Sequence, residues 1–199
     1  MTSGNSINNK LEVVTFKQVA SLCCVSEDRV KKWVNKSGLK PLASESEQVY
    51  CQDLIDFLVQ YNMPIPASIL PAEAKKILFI FSSQILKYIY VTFLVNFFQK
   101  LRLEENYISD TVCYDRKAKY KILTFAPDLI VTYTISAHDN ALQLIRFAKK
   151  TGGCRVLSIV EKNISRENIA HIRAAGADAV VARCININEL VEKINSLFK

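Results

Sequence analysis

Apolar residues in the first third of the chain recur with the period of a helix. Over 15–22 and again over 26–36 they return every three or four positions, which is the spacing of one buried helix face. The pattern breaks between these segments, and the break predicts a tight turn. Ser26 is a residue type that caps helix N-termini, and Gly38 stands where a helix C-terminus favours glycine. The pattern therefore predicts two short helices around a turn.

The segment that follows completes a small unit. A polar stretch over 39–50 predicts a loop or a β wing, and helical spacing resumes over 52–61. Three of the five prolines fall within 62–74, where they oppose a helix and favour extended backbone. We expect a small, mainly helical domain over 11–61, and we expect the proline-rich stretch to be the linker that follows it.

Beyond residue 75, short apolar runs alternate with amphipathic segments. Strands are predicted over 76–81, 107–112, 128–134, 154–160 and 178–182. Helices are predicted over 84–101, 116–125, 139–150, 166–175 and 188–198. Short apolar strands that alternate with helices are typical of a parallel sheet with helices on both faces. The sequence thus predicts a second domain over 75–199, of the α/β class, built on a five-stranded parallel sheet.

Positive charge is concentrated on the second predicted helix. Opposite its buried stripe the helix carries a basic and polar set: Arg29, Lys31, Lys32, Asn35 and Lys36. Residues 29–40 include five basic side chains and no acidic one. A helix that is buried on one face and basic on the other fits the major groove of DNA.

The net charge of +7 adds little to this interpretation because of where the charges lie. Residues 1–70 hold seven basic and seven acidic residues, whereas 71–199 hold nineteen and twelve. The whole surplus therefore belongs to the second domain. Contact with phosphate depends on nearby charge rather than on the total, so the local basic helix is the better support for DNA binding.

The order of residues over 15–61 matches a known pattern. The matching residues are Thr15, Val19-Ala20, Val25-Ser26, Arg29-Val30, Trp33, Gly38-Leu39, Tyr50 and Asp53-Leu54. In this order the segment resembles the winged helix-turn-helix domain of the MerR and excisionase-like families. The resemblance implies that the 26–36 helix enters the major groove of double-stranded DNA, while the 39–50 loop contacts backbone or minor groove. The implied DNA-binding set is Ser26, Arg29, Lys31, Lys32, Asn35, Lys36 and Lys40.

The wing departs from the pattern of those families. They often carry arginines there, whereas this chain has Glu45 and Glu47, which would repel phosphate. The alternative for this domain is therefore a small helical module that contacts protein, with Lys31 and Lys32 on a solvated face.

Three segments of the second half carry a further resemblance: 125–131 (FAPDLIV), 174–178 (AAGAD) and 188–194 (NELVEKI). They resemble a response-regulator receiver domain, the flavodoxin-like phosphoacceptor module of two-component systems. Phosphoryl transfer to an aspartate needs acids that hold Mg²⁺, the acceptor aspartate, a hydroxyl and a lysine.

Those chemical groups are missing at the matching positions. The acceptor position falls on Tyr133, and Phe81-Ser82-Ser83 replaces the acids after the first strand. The fourth strand ends with Ser158-Ile159-Val160, and Arg183-Cys184 stands for the usual Lys-Pro. We therefore expect a degenerate receiver, or pseudo-receiver, that is not phosphorylated by the usual route and has no phosphoacceptor.

The predicted 84–101 helix is apolar around most of its circumference. Its apolar arc is wider than a helix needs to cover one face of a sheet, and large exposed apolar patches usually mark an interface. We expect a homodimer contact there, since paired helix-turn-helix units match two half-sites on DNA. The expected interface residues are Ile85, Ile89, Phe93 and Phe97. Burial against the N-terminal module or the last helix is the alternative.

Cofactor and catalytic motifs are absent from the sequence. The six cysteines form no CxxC pair, and only two histidines, His138 and His171, could complete a metal site. This composition disfavours zinc binding. A cobalamin-binding domain has a similar fold and can end in a similar AAGAD segment, but His138 lacks the DxHxxG pattern of that family. Neither a phosphate loop nor a nucleophile–base set is legible. We expect no cofactor, no metal and no enzymatic activity.

The expected location is the cytoplasm, with no membrane partner. Residues 1–10 lack the apolar core of a secretion signal. The apolar run over 77–98 is interrupted by polar residues that include Lys87, which is unfavourable in lipid. Reduced cysteines fit the same location.

The sequence as a whole predicts a DNA-binding transcriptional regulator. Its receiver-like domain would not be phosphorylated and would serve for dimerisation or for docking a protein partner. Two alternatives stay open: a protein-interaction adaptor that does not bind DNA, and a regulator that senses cobalamin or another small molecule.

Overall fold

The chain divides into two compact units, Met1–Glu73 and Ala74–Lys199. The computed structural model describes residues 13–70, 74–82, 107–134, 140–183 and 186–199. The predicted helix over 84–101 and the interface residues expected on it, Ile85, Ile89, Phe93 and Phe97, lie outside the described residues, as do His138 and Cys184.

The first unit combines three helices with a two-stranded ribbon. Its elements are β1 (Val13–Thr15), α1 (Phe16–Leu22), α2 (Glu27–Ser37), β2 (Gln48–Tyr50) and α3 (Cys51–Gln60). The strands β1 and β2 are antiparallel, with Val14 opposite Val49. A 3₁₀ turn at Ala67–Ile69 follows within the predicted linker, and Ile69 is buried.

Local hydrogen bonds define the ends of α1 and α2. Thr15 and Gln18 form a reciprocal capping box, in which each side chain accepts from the other residue's backbone N–H. Ser26 accepts from the backbone N–H of Arg29 at 3.3 Å, so the predicted N-cap is confirmed. Gly38 has a φ of 84° and donates its N–H to the carbonyl of Trp33, which confirms the predicted C-terminal glycine.

The buried stripe of α2 anchors this helix in the first unit. Val30 is fully buried and Trp33 is 6% exposed. The Trp33 ring lies 5.3 Å from the ring of Phe57 on α3, measured between centroids. Burial of this stripe determines which face of α2 points to the core, because each large apolar side chain contributes about 1.5–3 kcal/mol when fully buried. The opposite side of α2 is left facing solvent.

The second unit is a parallel α/β sheet. Its strands are β3 (Lys75–Phe81), β4 (Tyr107–Cys113), β5 (Leu129–Thr134), β6 (Arg155–Val160) and β7 (Ala179–Ala182). Its helices are α4 (Arg116–Phe125), α5 (Asn140–Gly152), α6 (Arg166–Ala174) and α7 (Ile187–Phe198). All strand pairs are parallel, in the order β4-β3-β5-β6-β7. The predicted five-stranded parallel sheet is confirmed, and the described elements end within two residues of the predicted bounds.

Helices lie on both faces of this sheet. Alternate strand residues such as Phe79, Val131 and Ile159 are buried in one cluster with Leu190 and Ile194 of α7. Their neighbours along the strands are also buried and point to the opposite face. There α4 contacts β3 and β4, α5 contacts β5, and α6 contacts β7. Both faces are covered, as expected for near-continuous apolar strands.

The strand order determines where a site can form. The chain passes from β4, on one side of β3, to β5 on the other side, so the connections diverge at the carboxyl ends of β3 and β5. Open parallel sheets bind ligands at such a switch point. Within the part of the chain that the structure describes, no helix is both long and apolar enough to cross a membrane.

Candidate functional site

Each unit contains one candidate site, built from its own elements. In the first unit it is the solvent-facing side of α2. In the second unit it is the carboxyl edge of the sheet, where the ends of β5, β6 and β7 meet.

The solvent-facing side of α2 is basic. The exposed residues of the predicted set are Ser26, Arg29, Lys32, Asn35, Lys36 and Lys40. Arg29, Lys32 and Lys36 form no ion pair with any residue in the described ranges. Their positive charge is therefore available to an anionic partner. Asp28 and Glu27 lie in the first turn, where the helix dipole favours acids.

Lys31 differs from the other basic residues of α2. Its Nζ lies 2.8 Å from Oε1 of Glu47 and 3.7 Å from Oε1 of Glu27. The hydrogen bond to Glu47 raises the pKa of Lys31 above its usual value. The backbone carbonyl of Glu47 accepts from the N–H of Phe16, the first residue of α1, at 2.9 Å. Lys31 is therefore paired with acidic side chains, while its place in the DNA-binding set stays a prediction.

The carboxyl edge of the sheet holds a connected polar group, the Tyr–Glu–Arg cluster of Tyr133, Glu161 and Arg183. Tyr133 is the penultimate residue of β5 and is 3% exposed, and its hydroxyl donates to Oε1 of Glu161. Arg183 donates from Nη1 to the same oxygen at 3.1 Å. Glu161 follows β6 and Arg183 follows β7, so the order β5-β6-β7 brings the three residues together. The cluster thus ties the ends of three strands.

Burial extends to higher pH the range in which Tyr133 stays protonated. Removal of the phenol from water raises the pKa of Tyr133 well above its usual range, and the hydrogen bond to Glu161 raises it further. The hydroxyl therefore stays protonated and acts as a donor. In this form Tyr133 holds the Glu161 carboxylate and has little nucleophilic character.

Tyr114 connects the other side of this edge. Its N–H donates to the carbonyl of Phe81 at 3.0 Å, and its hydroxyl donates to the carbonyl of Tyr133 at 2.8 Å. Sequence reasoning missed both Tyr114 and Glu161 as members of the edge. Glu161 had a readable signal, because it is the first residue after a predicted strand. Tyr114 had none, since its role depends on which strands are neighbours.

The expected positions of receiver chemistry are filled in other ways. Ser158 is fully buried beneath the edge, where its hydroxyl lies 2.9 Å from that of Thr134. Arg183, in place of the usual lysine, is engaged with Glu161. Among the residues that the structure describes, no three His, Cys, Asp or Glu side chains gather as they would around a metal ion.

The amino ends of the strands, opposite the Tyr–Glu–Arg cluster, account for two of the three motifs that carried the receiver resemblance. Asp128, just before β5, accepts from the N–H of Lys76 at 2.8 Å. Asp178, just before β7, accepts from the N–H of Val156 at 2.7 Å and from Nζ of Lys149 at 2.8 Å. Both aspartates pin a strand to its neighbour. Two of the three matching segments, 125–131 and 174–178, therefore have a structural role at the amino ends of the strands.

Comparison with solved structures identifies the architecture of this unit. A two-component response regulator from Clostridium difficile aligns with a TM-score of 0.52 at 18% identity, over 62% of this chain and 95% of that chain. The second unit has a receiver-like fold. The signal receiver domain of a DNA binding response regulator protein from Colwellia psychrerythraea 34H aligns with a TM-score of 0.51 at 18% identity, over 62% of this chain and 98% of that chain.

A third similar structure supports the same architecture. An orphan response regulator of H. pylori aligns with a TM-score of 0.50 at 19% identity, over 65% of this chain and 100% of that chain. At this level of identity the likeness concerns the fold of the receiver-like unit. The chain matches no protein-family model and no curated protein. The three similar structures are named as response regulators or their receiver domains.

Proposed function

We propose that the protein is a regulator that binds double-stranded DNA through α2 and whose receiver-like unit acts without phosphorylation. The observation that carries the DNA half is the exposed side of α2. Arg29, Lys32 and Lys36 stand there without ion pairs in the described part of the chain, next to exposed Asn35. Phosphate contacts need such available cations, and an amide side chain can read adenine in the major groove.

Local architecture supports the proposed winged helix-turn-helix. α1 and α2 are joined by a short turn that Ser26 ends as an N-cap, and the β1–β2 ribbon frames the segment between α2 and α3. This order agrees with the MerR and excisionase-like resemblance of 15–61. The Colwellia relative is itself named a DNA binding response regulator protein, so this combination of functions has a precedent beside a similar receiver fold.

The Tyr–Glu–Arg cluster supports the phosphorylation-independent half of the proposal. Tyr133 fills the acceptor position, and its hydroxyl is a hydrogen-bond donor to Glu161. The same carboxylate is engaged by Arg183, so it is not a free ligand for Mg²⁺. Ser82 and Ser83 follow β3 where receiver chemistry needs acids. Control of DNA binding would then come through association.

Association between two copies is the proposed route of control. The apolar 84–101 segment, with Ile85, Ile89, Phe93 and Phe97, is the proposed dimer contact on sequence grounds. A dimer presents two α2 helices to two half-sites. Light scattering of the full chain tests this proposal, and a monomer at every concentration that also binds DNA would contradict it.

The DNA half is tested by selection from random duplexes followed by charge reversal. Fragments bound by the full chain are sequenced, and the best is used for titration. We expect Lys32→Glu with Lys36→Glu to weaken binding by at least about tenfold in low salt, since two phosphate contacts are lost. The matched control reverses Lys162 and Lys193, which are exposed in the second unit. It should bind as the parent does.

The results also separate the proposal from its main competitor, a protein-interaction module that does not bind DNA. The acidic contacts around Lys31, made by Glu27 and Glu47, favour that competitor. A parent that selects no duplex would favour the competitor. An α2 reversal that binds as well as the control would show that DNA is bound through another surface, and the role given to α2 would be wrong. A sensor of cobalamin is tested by the visible absorption spectrum of the purified protein.

A further inference from the structure

Helix α4 has an apolar surface that the fold leaves open. Tyr120 and Leu123 are each 58% exposed, more than the other exposed large hydrophobic residues of the described chain. They are three positions apart and therefore lie on the same side of the helix. The opposite side of α4 is buried through Ala118, Ile122 and Phe125. The core is thus already covered without Tyr120 and Leu123.

The charged residues of α4 and α5 are all basic, although Asp115 caps the N-terminus of α4. The helices α4 and α5 contain no acidic residue and seven basic ones: Arg116, Lys117, Lys119, Lys121, Arg146, Lys149 and Lys150. Two of the seven are neutralised, Lys121 by Asp110 and Lys149 by Asp178. The others include exposed lysines within one helical turn of Tyr120.

Lys119 also connects the two helices. Its Nζ lies 5.5 Å from the ring centroid of Phe147 on α5, which holds the ammonium beside the patch. Lys117 is exposed on the other side of Tyr120. An apolar pair framed by lysines is complementary to a helix that presents apolar residues with acids beside them.

We propose that this surface of α4, formed by Lys117, Lys119, Tyr120 and Leu123, docks an acidic amphipathic segment of a partner protein. The inference goes beyond the proposed function, in which the receiver-like unit acts through association of two copies. Tyr120 and Leu123 supply the apolar anchors, and the lysines select acidic partners. The docking surface lies on the sheet's β4 side and does not involve the Tyr–Glu–Arg cluster.

A nucleic acid is the main rival occupant, because tyrosine can stack on a base and lysines bind phosphate. Leu123 argues against it. An aliphatic side chain that is 58% exposed gains from contact with apolar side chains and little from a sugar–phosphate chain. The side-by-side placement of Tyr120 and Leu123 therefore favours a protein segment.

The test uses the full chain and three labelled peptides followed by fluorescence anisotropy. The first is an acidic amphipathic helix with leucine and phenylalanine on one side. The second has the same composition in scrambled order, and the third has lysines in place of the acids. We expect saturable binding of the first peptide alone. Replacing Tyr120 and Leu123 with serine should weaken it by at least about tenfold, as expected for two central anchors.

Matched variants make the outcome decisive. Tyr50→Ser changes a 48% exposed tyrosine of the first unit and should bind the peptide as the parent does. Lys117→Gln with Lys119→Gln should weaken binding and reduce its salt dependence. Thermal melting confirms that each variant folds.

The proposal is overturned if no peptide binds, if the scrambled peptide binds equally well, or if the serine variant keeps full affinity. It is also overturned if single-stranded DNA binds to the same residues more tightly than the acidic peptide. The peptide assay contains no duplex DNA, so its result is independent of the test of DNA binding by α2. Loss of DNA binding with intact peptide binding would refute only the DNA half of the proposed function.

Discussion

Tyr133 occupies the place that the receiver resemblance gives to a phosphoacceptor, and its properties differ from those of a carboxylate. An aspartate would offer a carboxylate, whereas Tyr133 offers a phenol whose pKa is raised by burial. The hydroxyl binds Glu161, which Arg183 also binds. One residue thereby turns a reactive position into a link between strand ends.

We expect Tyr133→Phe to destabilise the protein by about 1 kcal/mol, because it removes one hydrogen bond to a carboxylate that is partly screened by water. Urea unfolding at neutral pH measures this. Tyr120→Phe removes an exposed hydroxyl and should cost close to nothing. Equal effects for the two variants would show that the Tyr133 hydroxyl has no role in holding the sheet edge.

The Tyr133 hydroxyl should make the stability of the protein depend on pH in the alkaline range. Below the ordinary tyrosine pKa of 10.0, Tyr133 is neutral in both folded and unfolded chains, so its contribution is fully present. Above that pH the unfolded chain ionises while the folded Tyr133 resists, and stability is lost as the pH rises towards the raised folded value. The difference in free energy of unfolding between the parent and Tyr133→Phe should become smaller above pH 10.0. A difference that does not change with pH would show that burial does not raise the pKa of Tyr133.

Glu47 is the residue that most directly limits the basic side of α2. Its carboxylate lies 2.8 Å from Nζ of Lys31 and places negative charge beside the proposed DNA contacts. We expect Glu47→Gln to raise affinity for duplex DNA about threefold to tenfold at low salt, since one repulsive charge is removed and Lys31 is released. Glu167→Gln, in the second unit, is the matched control. Unchanged affinity would show that Glu47 is remote from the bound DNA.

The helices and strands could be predicted from the sequence wherever the features that define them lie within the segment itself. The helices α2 and α4 were predicted within one residue of their ends because their apolar periodicity and their capping residues lie inside the segment itself. The strands of the sheet were readable for the same reason, as short apolar runs. The assignment of 15–61 as a DNA-binding domain stays a prediction.

The missed contacts all depend on which elements become neighbours. Glu47 reaches Lys31 only because β2 pairs with β1, and Tyr133 meets Glu161 only because β5 pairs with β6. Neither pairing can be predicted from the residues of the strands themselves. Lys31 was therefore grouped with the available cations of α2, although an acid from a distant segment binds it.

The AAGAD segment shows that a motif can be recognised before its physical purpose is known. Gly176 has a φ of 112°, a backbone conformation that favours glycine. A Cβ there would lie 2.7 Å from Cγ of Lys149. The glycine lets the chain pass close to that side chain, and Asp178 then binds its ammonium group. The motif thus sets the entry to β7.

We expect Asp178→Ala to destabilise the protein by about 2 kcal/mol, because it removes a backbone hydrogen bond and an ion pair together. Asp128→Ala removes the bond to the N–H of Lys76 without breaking an ion pair among the described residues, and it should cost less. Urea midpoints measure both effects, with the exposed Glu192→Ala as a neutral control. If Asp178→Ala costs no more than the control, then β7 is held by its hydrogen bonds to β6 alone.

For the whole molecule, the arrangement joins a basic helix in one unit to a receiver-like fold in the other. The first 70 residues carry no net charge, so their proposed attraction to DNA is confined to α2. The surplus of positive charge lies in the second unit, where α4 and α5 hold seven basic residues and no acidic one. The two basic surfaces therefore lie in different units, and the partners proposed for them, a duplex and an acidic protein segment, can be tested separately.

We expect a small phosphodonor with Mg²⁺ to leave the mass of the intact protein unchanged, because the receiver-like unit has Tyr133 in place of the acceptor and Ser82-Ser83 in place of the acids. Intact mass spectrometry measures this, with a phosphorylatable receiver domain in the same reaction as the positive control. Tyr133→Asp should also stay unmodified, since an acceptor alone cannot bind Mg²⁺. A phosphoryl group on the parent chain would show that the unit responds to phosphorylation after all, and control of α2 would then not depend on association alone.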